Sequence, residues 1–215
     1  MASGLRLLPK TDLIQTSPVD HADWNYAGLL GWLQRRRFAL LLSLLGEGPF
    51  PRLLEIGYGS GVLMPELAVR CGELFGADPH PRHREVQEIL GAHGVAATLA
   101  CAGATELPYE DGFFDAAVAV SALEYAPDAD AAGSEIRRVL RPGGRLVVVT
   151  PGHSPLLDLG LRIATGEDAT SEYGNRRQRL VPGLLGHLEL ERERRFPPVL
   201  GRLAPVYRGL RLVRR

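Results

Sequence analysis

The chain of 215 residues is short of several things at once, and each shortage narrows what it does. Only one of its 25 basic residues is a lysine, Lys10, and only two residues are cysteines, Cys71 and Cys101. The bias toward arginine fits a base-composition effect, so no function is read from it. The cysteines lie in no C-x-x-C and beside no histidine pair at ligand spacing, which argues against a disulfide framework and a zinc site. No metal is expected, and the two cysteines are expected as buried free thiols in a reducing cytoplasm. Net charge is missing too, since 25 Lys+Arg balance 25 Asp+Glu. A dedicated nucleic-acid binder would carry a basic excess, so no nucleic-acid partner is expected. Long apolar runs are absent as well: "FALLLSLLG", behind Arg35, Arg36 and Arg37, falls short of the ~20 residues a span requires. The apolar run in "MASGLRLLPKTD" is too short for a signal peptide. The expectation is a cytoplasmic protein without a transmembrane segment, at most peripheral to a membrane.

What is present suffices for one ordinary domain, at 45% hydrophobic residues. The neutral total hides an asymmetry. Residues 1–161 hold 13 Lys+Arg against 19 Asp+Glu, and residues 162–215 hold 12 against 6, so the body is acidic and the tail basic.

Apolar residues recur at helical spacing from Asn25 to Leu45 and stop at "GEGPFP", which predicts one or two helices. Strand-like runs then alternate with helical ones: "RLLEIG", "VLMPELAVRCG", "ELFGAD", "PRHREVQEILGAHG", "AATLACAG", "FDAAVAVSAL", "DADAAGSEIRRVL" and "GRLVVVTPG". Continuously apolar strands between amphipathic helices predict a doubly wound, mostly parallel α/β sheet covered on both faces. Right-handed crossovers place every strand's C-terminal end on one edge, where such sheets bind ligands. In the tail, "HLELERERRF" and "VYRGLRLVRR" alternate as an antiparallel hairpin would. A helix from Leu200 is the competing reading, with Pro205 against it.

"EIGYGSG" sets Gly57, Gly59 and Gly61 where a strand turns into a helix, so a ligand can lie against bare backbone. A tight turn with no ligand is the plain alternative. Asp78 ends the next strand, 21 residues after Gly57, where a carboxylate can accept from both ribose hydroxyls of an adenosine. Glu55 sits just before the turn, a poor neighbour for pyrophosphate and a good one for a cation. A dinucleotide fingerprint would place its third glycine where Val62 stands. A ligand with adenosine at one end and a sulfonium and amino group at the other fits better, and S-adenosylmethionine is such a ligand.

The motifs "LLEIGYGSG", "LFGADPH", "LPYEDGFFDAAVAVSALEYAPD" and "EIRRVLRPGGRLVVVTPG", in this order over residues 50–152, resemble the class I S-adenosylmethionine-dependent methyltransferases. They are similar in particular to the type-11 methyltransferase domain family. The resemblance implies a Rossmann-like sheet of that type, with residues 1–50 as an N-terminal helical lid and 51–215 as the cofactor-binding domain. It implies that Gly57, Tyr58, Gly59 and Gly61 line the methionine moiety, Glu55 places its amino group, Asp78 binds the ribose and Pro79 packs on the adenine. Relatives carry "GDAxxLPF" after the third strand. Here "AGATELPY" puts Gly103 at the position of that Asp, leaving Ala104 and Thr105 to make the adenine contact. Ser121, ending the fourth strand, would face the methyl donor.

Methyl transfer is an in-line displacement that requires alignment and exclusion of water, so sequence says less about catalytic groups here than in a hydrolase. Tyr125 and His153 are candidates for a general base or for orienting an acceptor hydroxyl, against a purely structural role for each. "SALEY" is unlike the "NPPY" of amino-methylating DNA enzymes, and no Pro-Cys suits cytosine chemistry. The expectation is transfer to oxygen, nitrogen or carbon of a small molecule. A methyltransferase-fold binding protein without catalysis and a nicotinamide-dependent oxidoreductase remain as alternatives.

Overall fold

The computed structural model describes residues 4–17, 20, 22–152, 176–198 and 205–215. Seven strands, β1 (Phe50–Ile56), β2 (Cys71–Asp78), β3 (Thr98–Cys101), β4 (Phe114–Val120), β5 (Leu140–Pro151), β6 (Glu189–Phe196) and β7 (Tyr207–Val213), form one sheet. Their order is β3-β2-β1-β4-β5-β7-β6. Strands β1 to β5 are parallel neighbours, and β7 runs antiparallel to both β5 and β6. The order reverses between β2 and β4 on either side of β1, which puts the switch-point crevice at the C-terminal end of β1.

Adjacent residues of the central strands point to opposite faces. Leu53, Val118 and Val147 pack with α1 (Gly28–Leu45), α2 (Met64–Ala68) and α3 (His83–Ala92), through Leu41, Leu44, Met64, Val86 and Leu90. Leu54, Ala117, Val148 and Leu210 pack on the other face with α4 (Ala129–Val139) and α5 (Arg176–Leu185), through Ile136, Val139, Leu180 and Leu184. The Asp128 carboxylate starts α4 by accepting from the amides of Asp130 and Ala131, at 2.9 and 3.1 Å. Gly209 lets α1 close on β7, where a Cβ would stand 2.6 Å from Leu44 Cδ1.

Two sequence expectations shift. The helix read across "VLMPELAVRCG" is only Met64–Ala68, because the Arg70 carbonyl accepts from Phe50 N–H at 2.8 Å and Cys71 already pairs with Phe50 in the sheet. The two thiols are not both buried: Cys71 is half-buried, and Cys101 is exposed at the end of edge strand β3. The helical stretch before β1 resolves into a short 3-10 turn, Ala22–Tyr26, followed by α1. No helix among the described residues is long and apolar enough to cross a membrane.

Candidate functional site

The end of β1 opens into a loop whose three glycines all adopt left-handed backbone, with φ of 76° at Gly57, 52° at Gly59 and 74° at Gly61. At Gly57 the requirement is double. A side chain is strained at that φ, and a Cβ there would overlap the Cβ of Ala122, just past β4. The loop therefore lies against the β4 end with no side chain between.

Three carboxylates surround this turn. Glu55 is buried, its Oε2 has no hydrogen-bond partner, and its pKa is pushed up to about 8 by burial first and by the Asp78 charge second, with Arg37 pulling it back. A buried carboxyl held off its ordinary value with an unsatisfied oxygen is costly unless something pairs it. Asp78 ties the loop to β2: its Oδ2 accepts from Gly59 N–H at 2.9 Å and its Oδ1 from His80 N–H at 3.2 Å. An ionised carboxylate has about four acceptor sites, so capacity for two hydroxyl donors remains. Asp20 arrives from the N-terminal segment, its carboxyl atoms 3.6 Å from where a Gly59 Cβ would stand. It is held by Thr16 N–H, the Thr16 hydroxyl and Ala22 N–H. The same segment docks on the loop through Leu8 N–H to the Val62 carbonyl, and Arg82 donates to the Gln15 carbonyl at 2.7 Å.

His80 fixes the loop from beneath. Its Nδ1 accepts from Arg82 N–H at 3.1 Å, which leaves Nε2 as the donor to the Gly59 carbonyl, 3.1 Å away. Tyr58 does not reach outward. Its ring is buried edge-on against His80, centroids 5.0 Å apart, so only its backbone borders the crevice, and burial pushes its phenol pKa upward. Ser121, at the end of β4, has φ of 50°, rare for a residue other than glycine, and a buried Oγ with no partner. Strained backbone and an orphaned hydroxyl beside a bare loop mark a place prepared for something else.

The structure thus brings Glu55, Gly57, Gly59, Asp78 and Ser121 to one crevice. Pro79 is exposed beside Cys101, whose thiol reaches its carbonyl. Ala104 and Thr105, both half-buried, follow β3 on the same edge, and a Cβ at Gly103 would meet nothing within 4 Å. Tyr125 lies in the 3-10 turn Leu123–Tyr125 after β4. His153 falls outside the described residues. Sequence reading missed His80, which bonds the Gly59 carbonyl, and Asp20, which lies beside Gly59 while bonded within its own segment; neither role has a spacing signature, although "ADPH" places His80 two residues beyond Asp78.

A family model described as "Methyltransferase domain" matches residues 54–148, the stretch from β1 to β5. The sterol 4-C-methyltransferase of Caenorhabditis elegans is 35% identical over 98 residues, 44% of this chain and 29% of that protein. The malonyl-[acyl-carrier protein] O-methyltransferase of Geobacter sulfurreducens is 35% identical over 121 residues, 52% of this chain and 43% of its own. The matches to these two relatives cover less than half of their length. The geranyl diphosphate C-methyltransferase of Streptomyces coelicolor superposes with a TM-score of 0.68 over 99% of this chain and 90% of that one, at 16% identity, which speaks for the fold. The stretch from β1 to β5 is thus similar to a methyltransferase domain, and the sheet has the Rossmann-like fold of the S-adenosylmethionine-dependent methyltransferases it superposes on.

Proposed function

We propose that this chain binds S-adenosylmethionine in the crevice at the end of β1 and transfers its methyl group to oxygen, nitrogen or carbon of a small-molecule acceptor. The observation that carries the reading is the pairing of a backbone-bare turn with a buried acid, Glu55, whose Oε2 lacks a partner. A cationic amino group laid on that turn would satisfy the carboxylate and draw its proton off. The backbone of Gly57, Gly59 and Gly61 would line the methionine chain, with Gly57 closing the turn on Ala122 and Gly61 on Val86 and Leu90, and Asp78 keeps acceptor capacity for ribose hydroxyls. Pro79 would offer an apolar face to the adenine, and the backbone of Ala104 and Thr105 would meet its edge. Bound there, the ligand supplies a methyl group on a positively charged sulfur, which is already a good leaving group.

The residues around it then have three tasks: to hold the donor, to align an acceptor in line with it, and to keep water out. Ser121 would face the donor, with Tyr125 and His153 as candidates for orienting an acceptor or taking its proton. The N-terminal segment, with Asp20 against Gly59, would serve as the lid of a unit formed by residues 51–215. A cytoplasmic location and the absence of a nucleic-acid partner belong to the same reading.

The test is turnover. Protein incubated with methyl-tritiated S-adenosylmethionine and a panel of hydroxylated, amino and prenylated small molecules is expected to transfer label to at least one class, releasing S-adenosylhomocysteine. A folded protein that binds neither sulfur ligand but retains NADH would contradict the reading.

A further inference from the structure

Among the described residues, one exposed face of the molecule gathers arginines that form no ion pair around an exposed tryptophan. Along α1, Trp32, Arg36, Ala39 and Ser43 recur at three- and four-residue spacing and are all exposed, with Trp32 44% accessible. Arg36, Ala39 and Ser43 form one wall of a groove of about 970 Å³, whose other wall is the end of β6 from Glu193 to Phe196, and Trp32 stands just outside it, one turn before Arg36. Gly209 of β7 faces Leu40 and Leu44 of α1, and Arg194 lies directly opposite it in the β6–β7 register. Arg192 lies opposite Arg211, two residues along, so both β6 arginines are on the α1 side of the sheet.

The two faces of β6 differ in pairing. On the opposite side of the strand Glu193, which with Arg195 also borders the groove, bonds Arg195 and Arg208, at 2.7 and 3.0 Å. The acids of β6 on or beside the α1 face are already taken among the described residues, Glu191 by Arg211 and Glu189 by Arg215. Among the described residues, Arg36, Arg192 and Arg194 form no ion pair. Arg36 instead lies over aromatic rings, 4.5 Å from the Trp32 centroid and 5.9 Å from that of Phe196.

The upper end of this face reaches the candidate site's rim. Phe196 pairs with Tyr207 and Tyr207 with Pro151, at the end of β5, while Ser121 N–H bonds the neighbouring Val149 carbonyl. Phe196 is four strand spacings from β1, roughly 19 Å.

We propose that this face docks on an anionic lipid bilayer, with Trp32 at the interface and Arg36, Arg192 and Arg194 on the headgroups. The arrangement favours a bilayer over a single anion. Arg192 and Arg194 are spaced along a strand by about 6–7 Å and Arg36 stands across the groove, a row that meets an array of headgroups and does not close on one phosphate. It disfavours a second copy adding to the β6 edge, since like charges along an edge strand oppose pairing. An exposed tryptophan with arginines is the side-chain set of a membrane-surface element. Resting on the methyltransferase reading, the same docking would present the crevice with acceptors that partition into the bilayer.

Co-sedimentation with vesicles tests this and needs no cofactor, so it can fail without the cofactor reading failing. The protein is expected to sediment with equal mixtures of phosphatidylcholine and phosphatidylglycerol, weakly with phosphatidylcholine alone, and less as salt is raised. Each neutralised arginine should weaken partitioning about fivefold, so the triple variant R36Q/R192Q/R194Q should lose about a hundredfold and Trp32→Ala a smaller part. Retained S-adenosylhomocysteine binding and an unchanged melting temperature would show those variants folded. Equal sedimentation on both vesicle types, or an undiminished triple variant, overturns the proposal. So would arginine-dependent dimerisation in gel filtration, or stronger binding to duplex DNA than to vesicles.

Discussion

The inner half of the sheet, β1 to β3 with the glycine loop, and the outer half, β6 and β7 against α1, handle charge in opposite ways. The inner half buries Glu55 with an unpartnered oxygen and turns Asp78 and Asp20 onto the same loop. The outer half keeps the arginines of β6 at the surface, pairing Arg195 with Glu193 and leaving Arg192 and Arg194 facing solvent. A buried acid without a partner costs stability, and such a cost persists where a ligand repays it. Exposed arginines cost little, and they act collectively on a partner outside the molecule. Zero net charge is therefore the sum of two specialised regions.

The sharpest break in this comparison is Gly57→Ala. It combines left-handed strain with overlap against Ala122, for a loss of about 2–5 kcal/mol. Denaturant unfolding should show that loss, and titration should show no cofactor binding. Gly183→Ala, on the far face, also clashes but leaves the crevice untouched. It should cost stability while keeping affinity per folded molecule.

Next comes the pH dependence of Glu55. Its folded pKa, about 8, is above the ordinary value of 4.5, so the folded state holds the proton longer than the unfolded chain. Stability is then fully present below 4.5 and falls as pH rises through about 8, by on the order of 5 kcal/mol. Glu55→Gln should flatten that decline in melts across the range. If an amino group takes the carboxylate as partner, wild-type affinity for S-adenosylhomocysteine should rise with pH toward 8, and the variant's should not.

Smaller effects sharpen the contrast. Gly103→Asp adds a side chain where a Cβ meets nothing and φ is ordinary, so it should fold normally. It should tighten cofactor binding up to about tenfold by supplying the acid that the resemblance to the family implies at this position. On the outer half, Glu193→Gln removes a partly exposed ion-pair partner and should change stability by less than about 1 kcal/mol.

Much of the inner half could be read before any coordinates. The glycine spacing, the acid before it and Asp78 at the next strand's end are all local patterns imposed by a strand-turn-helix unit. Boundaries set by long-range pairing could not be read that way: α2 stops early because Phe50 claims the Arg70 carbonyl. Side-chain direction on the loop was equally hidden, so Tyr58 looked like a crevice residue although its ring packs under the turn on His80. The arginine face depends on the register of β6 with β7, which puts Arg192 and Arg194 on one side and Glu193 and Arg195 on the other only after the irregularity between Leu190 and Arg192.

The most direct test of the central claim is isothermal titration of wild type and Asp78→Ala with S-adenosylmethionine, S-adenosylhomocysteine and NADH. Binding of both sulfur ligands, weakened at least about tenfold in the variant and absent for NADH, is the predicted result. A folded wild type that binds neither sulfur ligand, or a variant that binds them as well as wild type, would contradict the assignment of the crevice at the end of β1.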